Sequence, residues 1–217
     1  MNLLTEIRKN KIIAIVRGFD CKESLQIAQA LHSAGLSFME ITFCPGFDDQ
    51  STASIIHTLC RHFPDMHIGA GTVLTVSQVA AACNAGAEYI ISPNVSFPVI
   101  KETKRLGMVS IPGALSPSEI VYAFETGADI IKVFPANLLG TAYIRTLRSP
   151  LPHIPLAAVG GINLDNIEAF INTGIYFAGI GASLIDAKAV SQKQFDKIEE
   201  HARLYLRKTE QSAEDSI

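Results

Sequence analysis

The chain has 217 residues, 48% of them hydrophobic, and a formal net charge of -3. That length and apolar content suit one domain, residues 1–217, around a single large core. The mild charge, with no basic block or acidic tail, lends no support to nucleic-acid or membrane-surface partners. No apolar run reaches the roughly 18 residues that span a bilayer. The charged stretch from Met1 to Lys11 does not read as a signal peptide. Cys21, Cys44, Cys60 and Cys83 form no CxxC pair, so free thiols in a reducing cytoplasm are expected rather than a zinc site or a disulfide framework. The six histidines are scattered, with no HxH or HExxH pattern, and no metal site is expected.

In chain order, short β-branched runs alternate with longer amphipathic stretches. The short runs are Ile12–Arg17, Phe38–Phe43, His67–Thr72, Tyr89–Ser92, Val109–Gly113, Ile130–Phe134, Leu156–Val159 and Phe177–Gly181. Helices are expected near 21–34, 50–62, 75–85, 97–106, 116–127, 140–147, 164–173 and 190–208, with a further short helix at the N-terminus. Ser116-Pro117-Ser118-Glu119 reads as a capping box with proline in the first turn. Gly35, Gly86, Gly107, Gly127 and Gly174 each follow a helical run, where a left-handed C-cap is wanted. Eight βα units in about 200 residues predict a (β/α)₈ TIM barrel. An open doubly wound sheet is the competing arrangement. The polar tail from Lys208 to Ile217 is expected to fray.

Barrel active sites lie at the C-terminal ends of the strands, so chemically costly residues there are informative. Lys132 sits inside the apolar run Asp129-Ile130-Ile131-Lys132-Val133-Phe134-Pro135. Burying an ammonium lowers its pKa, and the free amine is a nucleophile toward carbonyls. A lysine paired with a buried acid for structural reasons is the other reading. Glu40, on Phe38-Met39-Glu40-Ile41-Thr42, is placed either to shuttle protons near Lys132 or to form a plain ion pair with Lys132 or Arg17. Thr72 closes Gly69-Ala70-Gly71-Thr72, where the glycines would let backbone approach a ligand, or simply make a turn. Arg17 ends the first strand with a fork that matches a carboxylate, or else is an ordinary surface arginine. Val159-Gly160-Gly161-Ile162-Asn163 and Gly179-Ile180-Gly181-Ala182-Ser183 follow the last two strands. They suit a phosphate cup, with a short helix after the eighth strand aiming its positive end at the anion; tight turns alone are the alternative.

Taken in order, Met39-Glu40-Ile41-Thr42, Gly69-Ala70-Gly71-Thr72-Val73-Leu74, Ile91-Ser92-Pro93-Asn94, Ile111-Pro112-Gly113, Lys132-Val133-Phe134-Pro135-Ala136 and Gly160-Gly161-Ile162 resemble the 2-keto-3-deoxy-6-phosphogluconate / 4-hydroxy-2-oxoglutarate (KDPG/KHG) aldolases. The likeness runs from about Ile12 to Asp186. It implies a Schiff base on Lys132 and an acid–base role for Glu40 working through a water. It also implies that Thr72 holds the pyruvyl carboxylate, that Pro93 and Phe134 line the pocket, and that Gly160, Gly161, Gly181 and Ser183 cradle the phosphate. A phosphorylated 2-keto-3-deoxy sugar acid and pyruvate are then the small-molecule partners and a homotrimer the assembly. The protonated imine is the electron sink, so no cofactor is called for. Two positions depart from the gluconate-type pattern. Cys44 stands where an arginine would bind the substrate carboxylate, leaving Arg17 for that task. Val159 stands where a threonine would precede the glycine pair. The Arg17 strand end and Val159 are both similar to the galactonate-type branch.

Overall fold

Each apolar run becomes a parallel strand, and the strands close into one barrel. The computed structural model describes residues 2–44 and 48–214, with side chains as far as residue 210. The strands are β1 (Ile12–Val16), β2 (Phe38–Thr42), β3 (His67–Gly71), β4 (Tyr89–Ile91), β5 (Val109–Ile111), β6 (Gly113–Ala114), β7 (Ile131–Val133), β8 (Leu156–Val159) and β9 (Ala178–Ile180). All neighbours pair in parallel, in the order β5-β4-β3-β2-β1-β9-β8-β7-β6.

The expected fifth strand, Val109–Gly113, is thus divided in two. Pro112 has no N–H to give a ladder, so β5 pairs with β4 and, past the proline, β6 pairs with β7. The Pro112 carbonyl still accepts from the Lys132 N–H at 2.9 Å, and the Ser110 carbonyl accepts from the Asp129 N–H at 2.9 Å. The two halves form one bent stave, and the barrel has the eight staves that the sequence predicts. The open-sheet alternative is set aside.

Around the strands run α1 (Leu3–Asn10), α2 (Cys21–Ala34), α3 (Asp49–His62), α4 (Val76–Ala85), α5 (Phe97–Arg105), α6 (Pro117–Glu125), α7 (Ala136–Arg148), α8 (Ile167–Ile171), α9 (Ala187–Ser191) and α10 (Phe195–Glu214). The Ser116–Glu119 capping box forms with Pro117 at the first turn, and all five expected glycine stops have positive φ. Three expectations shift. The helix expected over 140–147 begins at Ala136 and is interrupted at Gly140. The one expected over 190–208 breaks at Lys193, whose φ is 55°, giving α9 and α10. The tail expected to fray after Arg207 is helical as far as Glu214, with Thr209 4% exposed; residues 215–217 lie outside the described residues. No described helix is long and apolar enough to cross a membrane.

Alternation along each strand sorts the core into two layers. Inside the barrel, Ile13, Phe38, Tyr89, Val109, Ile130 and Phe177 pack together, and Ile7 of α1 joins them. The N-terminal helix therefore plugs one end of the barrel and leaves the opposite, C-terminal mouth open. Outside, Met39, Ile41, Ile68, Ile131 and Leu156 face the helices.

Candidate active site

The open mouth holds a cavity of about 530 Å³, a size that suits a small metabolite. All eleven residues singled out from the sequence line it: Arg17, Glu40, Thr72, Pro93, Lys132, Phe134, Val159, Gly160, Gly161, Gly181 and Ser183.

Lys132 is centred on β7, with Gly113 on one side and Ala157 on the other in the strand register. These small neighbours leave its long side chain room inside the barrel. Its residue is only 6% exposed. Nζ lies 4.8 Å from the centroid of the Phe134 ring and donates no hydrogen bond to another described residue. Burial lowers its pKa below the ordinary lysine value, Arg17 lowers it further, and Glu40 opposes both. The net direction is toward the free amine.

Glu40 is 2% exposed. Burial raises its pKa above the ordinary carboxyl value, and the positive charges of Lys132 and Arg17 pull the other way. Its Oε2 has no hydrogen-bond partner, a costly state for a buried acceptor. No nitrogen of Lys132 or Arg17 stands within 4.0 Å of its carboxylate among the described residues. The plain ion pair is therefore not formed. The two groups line one cavity without direct contact, which leaves Glu40 available for proton transfer with a bound substrate.

Thr72 follows β3 with φ 55°, an unfavourable conformation for a β-branched residue. Alternation puts Gly69 and Gly71 on the inner face and would turn Thr72 outward. The left-handed twist instead brings it to the cavity, where Oγ1 accepts from an Arg17 Nη at 3.1 Å. Arg17 shares the inner face of β1 with Ile13 and Ile15. Cys44 does not reach this cavity; it borders a separate small pocket with Ser24, Thr42 and Thr52. Arg17 is the one guanidinium at the site among the described residues.

Gly160 and Gly161 have φ of 97° and 74°. A Cβ at Gly160 would stand 3.2 Å from Phe134, and one at Gly161 2.5 Å from Asn137, so conformation and space both demand glycine. The Ser183 hydroxyl donates to the Ile162 carbonyl at 2.6 Å and joins the two loops. Among the described residues the N–H groups of Gly161, Ile162, Ala182 and Ser183 have no protein acceptor. Together they form a nest of donors suited to an anion. The expected helix with its positive end toward this nest takes another form. A single turn follows β9, with Leu184 and Ile185 N–H groups donating to the Gly181 carbonyl. The N-terminus of α9 is already capped by the Asp186 carboxylate.

The glycines of β3 also need a new explanation. They make room for protein side chains rather than for a ligand: a Cβ at Gly69 would overlap the Tyr89 ring, and one at Gly71 the Glu40 carboxyl. The sequence reading did not single out Tyr89, nor the lining residues Ile15, Phe19 and Ile185. Ile15 was findable, being two residues from Arg17 on one strand. Tyr89 gave no signal, since a tyrosine in an apolar run reads as core.

A family model described as KDPG and KHG aldolase matches residues 3–201. The chain is 35% identical over 180 residues to the 2-dehydro-3-deoxy-6-phosphogalactonate aldolase of Escherichia coli K12, covering 82% of this chain and 86% of that one. It is 30% identical to the 2-dehydro-3-deoxy-phosphogluconate aldolase of Haemophilus influenzae, covering 90% and 91%. The solved KDPG aldolase of Legionella pneumophila, with pyruvate captured as a covalent carbinolamine, superposes with a TM-score of 0.85 at 25% identity, covering 94% of this chain and 97% of that one. Fold, site and relatives agree: the chain belongs to the KDPG and KHG aldolase family and is an aldolase, a carbon–carbon lyase.

Proposed function

We propose that this aldolase works through a Schiff base on Lys132 and cleaves 2-dehydro-3-deoxy-6-phosphogluconate to pyruvate and glyceraldehyde 3-phosphate. The observation that carries the reading is a desolvated Lys132 amine sharing a cavity with Glu40 without touching it, a cavity lined as well by the backbone donors of the two glycine loops. The Nζ lone pair attacks the C2 carbonyl, and Glu40, through a water, protonates the departing hydroxyl. The resulting iminium draws electrons from the C3–C4 bond as Glu40 takes the proton of the C4 hydroxyl, and the aldehyde leaves. The enamine is protonated at C3, and water hydrolyses the iminium to release pyruvate. Arg17 and Thr72 hold the carboxylate, Pro93 and Phe134 wall the pyruvyl part, and Gly160, Gly161, Gly181 and Ser183 hold the phosphate. Cleavage of 4-hydroxy-2-oxoglutarate to pyruvate and glyoxylate needs the same steps but leaves the phosphate nest unused.

A second reading, the galactonate epimer, is favoured by Val159. Its side chain brings only apolar surface to the cavity, where a threonine would offer a hydroxyl to the sugar. Coupling pyruvate release to lactate dehydrogenase, with each phosphosugar acid in turn, tests both readings. Pyruvate from either epimer supports the aldolase, the faster epimer names the substrate, and pyruvate from neither overturns the reading.

The free thiols at Cys21, Cys44, Cys60 and Cys83 suit a reducing cytoplasm. The proposed assembly is a homotrimer, supported by apolar side chains exposed around the mouth: Leu74, Phe97 and Leu115 are 45–50% exposed and Leu138 82%.

A further inference from the structure

Glu40, Gly69 and Tyr89 form one row across β2, β3 and β4. The strand register pairs Glu40 with Gly69, and Gly69 with Tyr89. A glutamate opposite a glycine would ordinarily drop its side chain into the space above it. Here that space is taken. The Tyr89 ring lies over Gly69 so closely that a Cβ there would overlap Cε2, Cδ2 and Cζ. Tyr89 is fully buried, and its hydroxyl reaches over β3 to donate to the Met39 carbonyl at 2.8 Å. The ring is therefore pinned at both ends. The Glu40 side chain instead leans toward the mouth and rests over Gly71, two residues further along β3. A Cβ on Gly71 would overlap Oε1 and Cδ of Glu40 and stand 2.5 Å from Cγ.

We propose that Gly71 is the positioning residue for Glu40: its missing side chain is the seat in which the carboxyl rests, and the Tyr89 ring is the backstop that holds it at the level of Lys132. This rests on Glu40 being the acid–base group of the proposed reaction.

The two glycines of β3 then have different tasks, although they share one face. At Gly69 the obstructing atoms belong to a ring that cannot move. At Gly71 they are Oε1, Cδ and Cγ of a flexible glutamate side chain that lines an open cavity. An added methyl at Gly71 is relieved by turning Glu40 away, which spares the barrel and misplaces the carboxyl. Misplacing a reacting group by about 1 Å costs on the order of 100-fold in rate.

The test compares Gly71→Ala, Glu40→Gln and the double variant, reading kcat, KM and borohydride trapping of pyruvate. Gly71→Ala is expected to lower kcat by roughly 100-fold, within the range that general acid–base catalysis supplies, with KM little changed and pyruvate trapping slowed but still confined to Lys132, because Glu40 also assists imine formation. In the Glu40→Gln background the same substitution is expected to add no further loss, because the carboxylate it displaces is already gone. Wild-type kcat in Gly71→Ala, or full additivity with Glu40→Gln, overturns the proposal. Wild-type kcat in Glu40→Gln alone overturns the acid–base reading instead, and so distinguishes the two failures. Should Gly71→Ala not fold, Gly71→Ala/Glu40→Ala keeps the question open to a decision. A folded double variant shows that the conflict was with the Glu40 side chain, whereas a second unfolded protein places it in the backbone and overturns the proposal.

Discussion

Burial shifts Lys132 and Glu40 in opposite directions, each toward its neutral form, and the charge of each opposes the shift of the other. Burial is the largest influence on both groups, lowering the lysine pKa and raising the glutamate pKa. Arg17 contributes the same sign of charge as a protonated Lys132 and so pushes its pKa down further. A protonated amine has no lone pair to offer, so imine formation with pyruvate should fall as pH drops through the Lys132 pKa. Arg17→Gln removes the positive neighbour, raises that pKa, and is expected to move the acid limb of imine formation to higher pH. A limb that stays in place or moves lower would contradict it. Linkage has a matching sign. With the folded pKa below the ordinary 10.5, the unfolded chain binds more protons between the two values, and Lys132's contribution to stability improves as pH rises through that window. The amine thus costs stability at neutral pH, a familiar exchange of stability for activity.

At the scale of elements, the sequence was readable wherever one local rule decided the outcome. The capping box at Ser116–Glu119 and the glycine stops depend on neighbours a few residues away, and they appear where the spacing places them. Lys132 was visible because a charged residue in an apolar run is expensive anywhere. What was not legible depends on neighbours distant in sequence. The split at Pro112 follows from which strand lies on each side. The break at Lys193 has no glycine or proline to announce it. The glycines of β3 looked like a ligand's approach, but their partners are Tyr89 and Glu40, which lie 20 and 31 residues away. Thr72, singled out by its place at a strand end, lines the cavity, yet the positive φ that turns it there could not be foreseen from a β-branched residue.

For the whole molecule, α1 stoppers one end of the barrel, so the chemistry is confined to the other. Leu74, Phe97, Leu115 and Leu138 follow β3, β4, β6 and β7 in the chain and stand exposed near that mouth. Such a patch is expected to be covered by copies of the chain. Sedimentation equilibrium should read three chain masses, and Leu138→Asp combined with Phe97→Asp should lower it toward one; a wild-type monomer would contradict the trimer. The central claim concerns one covalent bond between Lys132 Nζ and the keto carbon of the substrate. Treating the protein with pyruvate and borohydride and mapping the adduct by peptide mass spectrometry tests it most directly. A single reduced adduct on Lys132, absent from Lys132→Ala, is the expected result. No adduct on the wild type, or an undiminished one on Lys132→Ala, would contradict it.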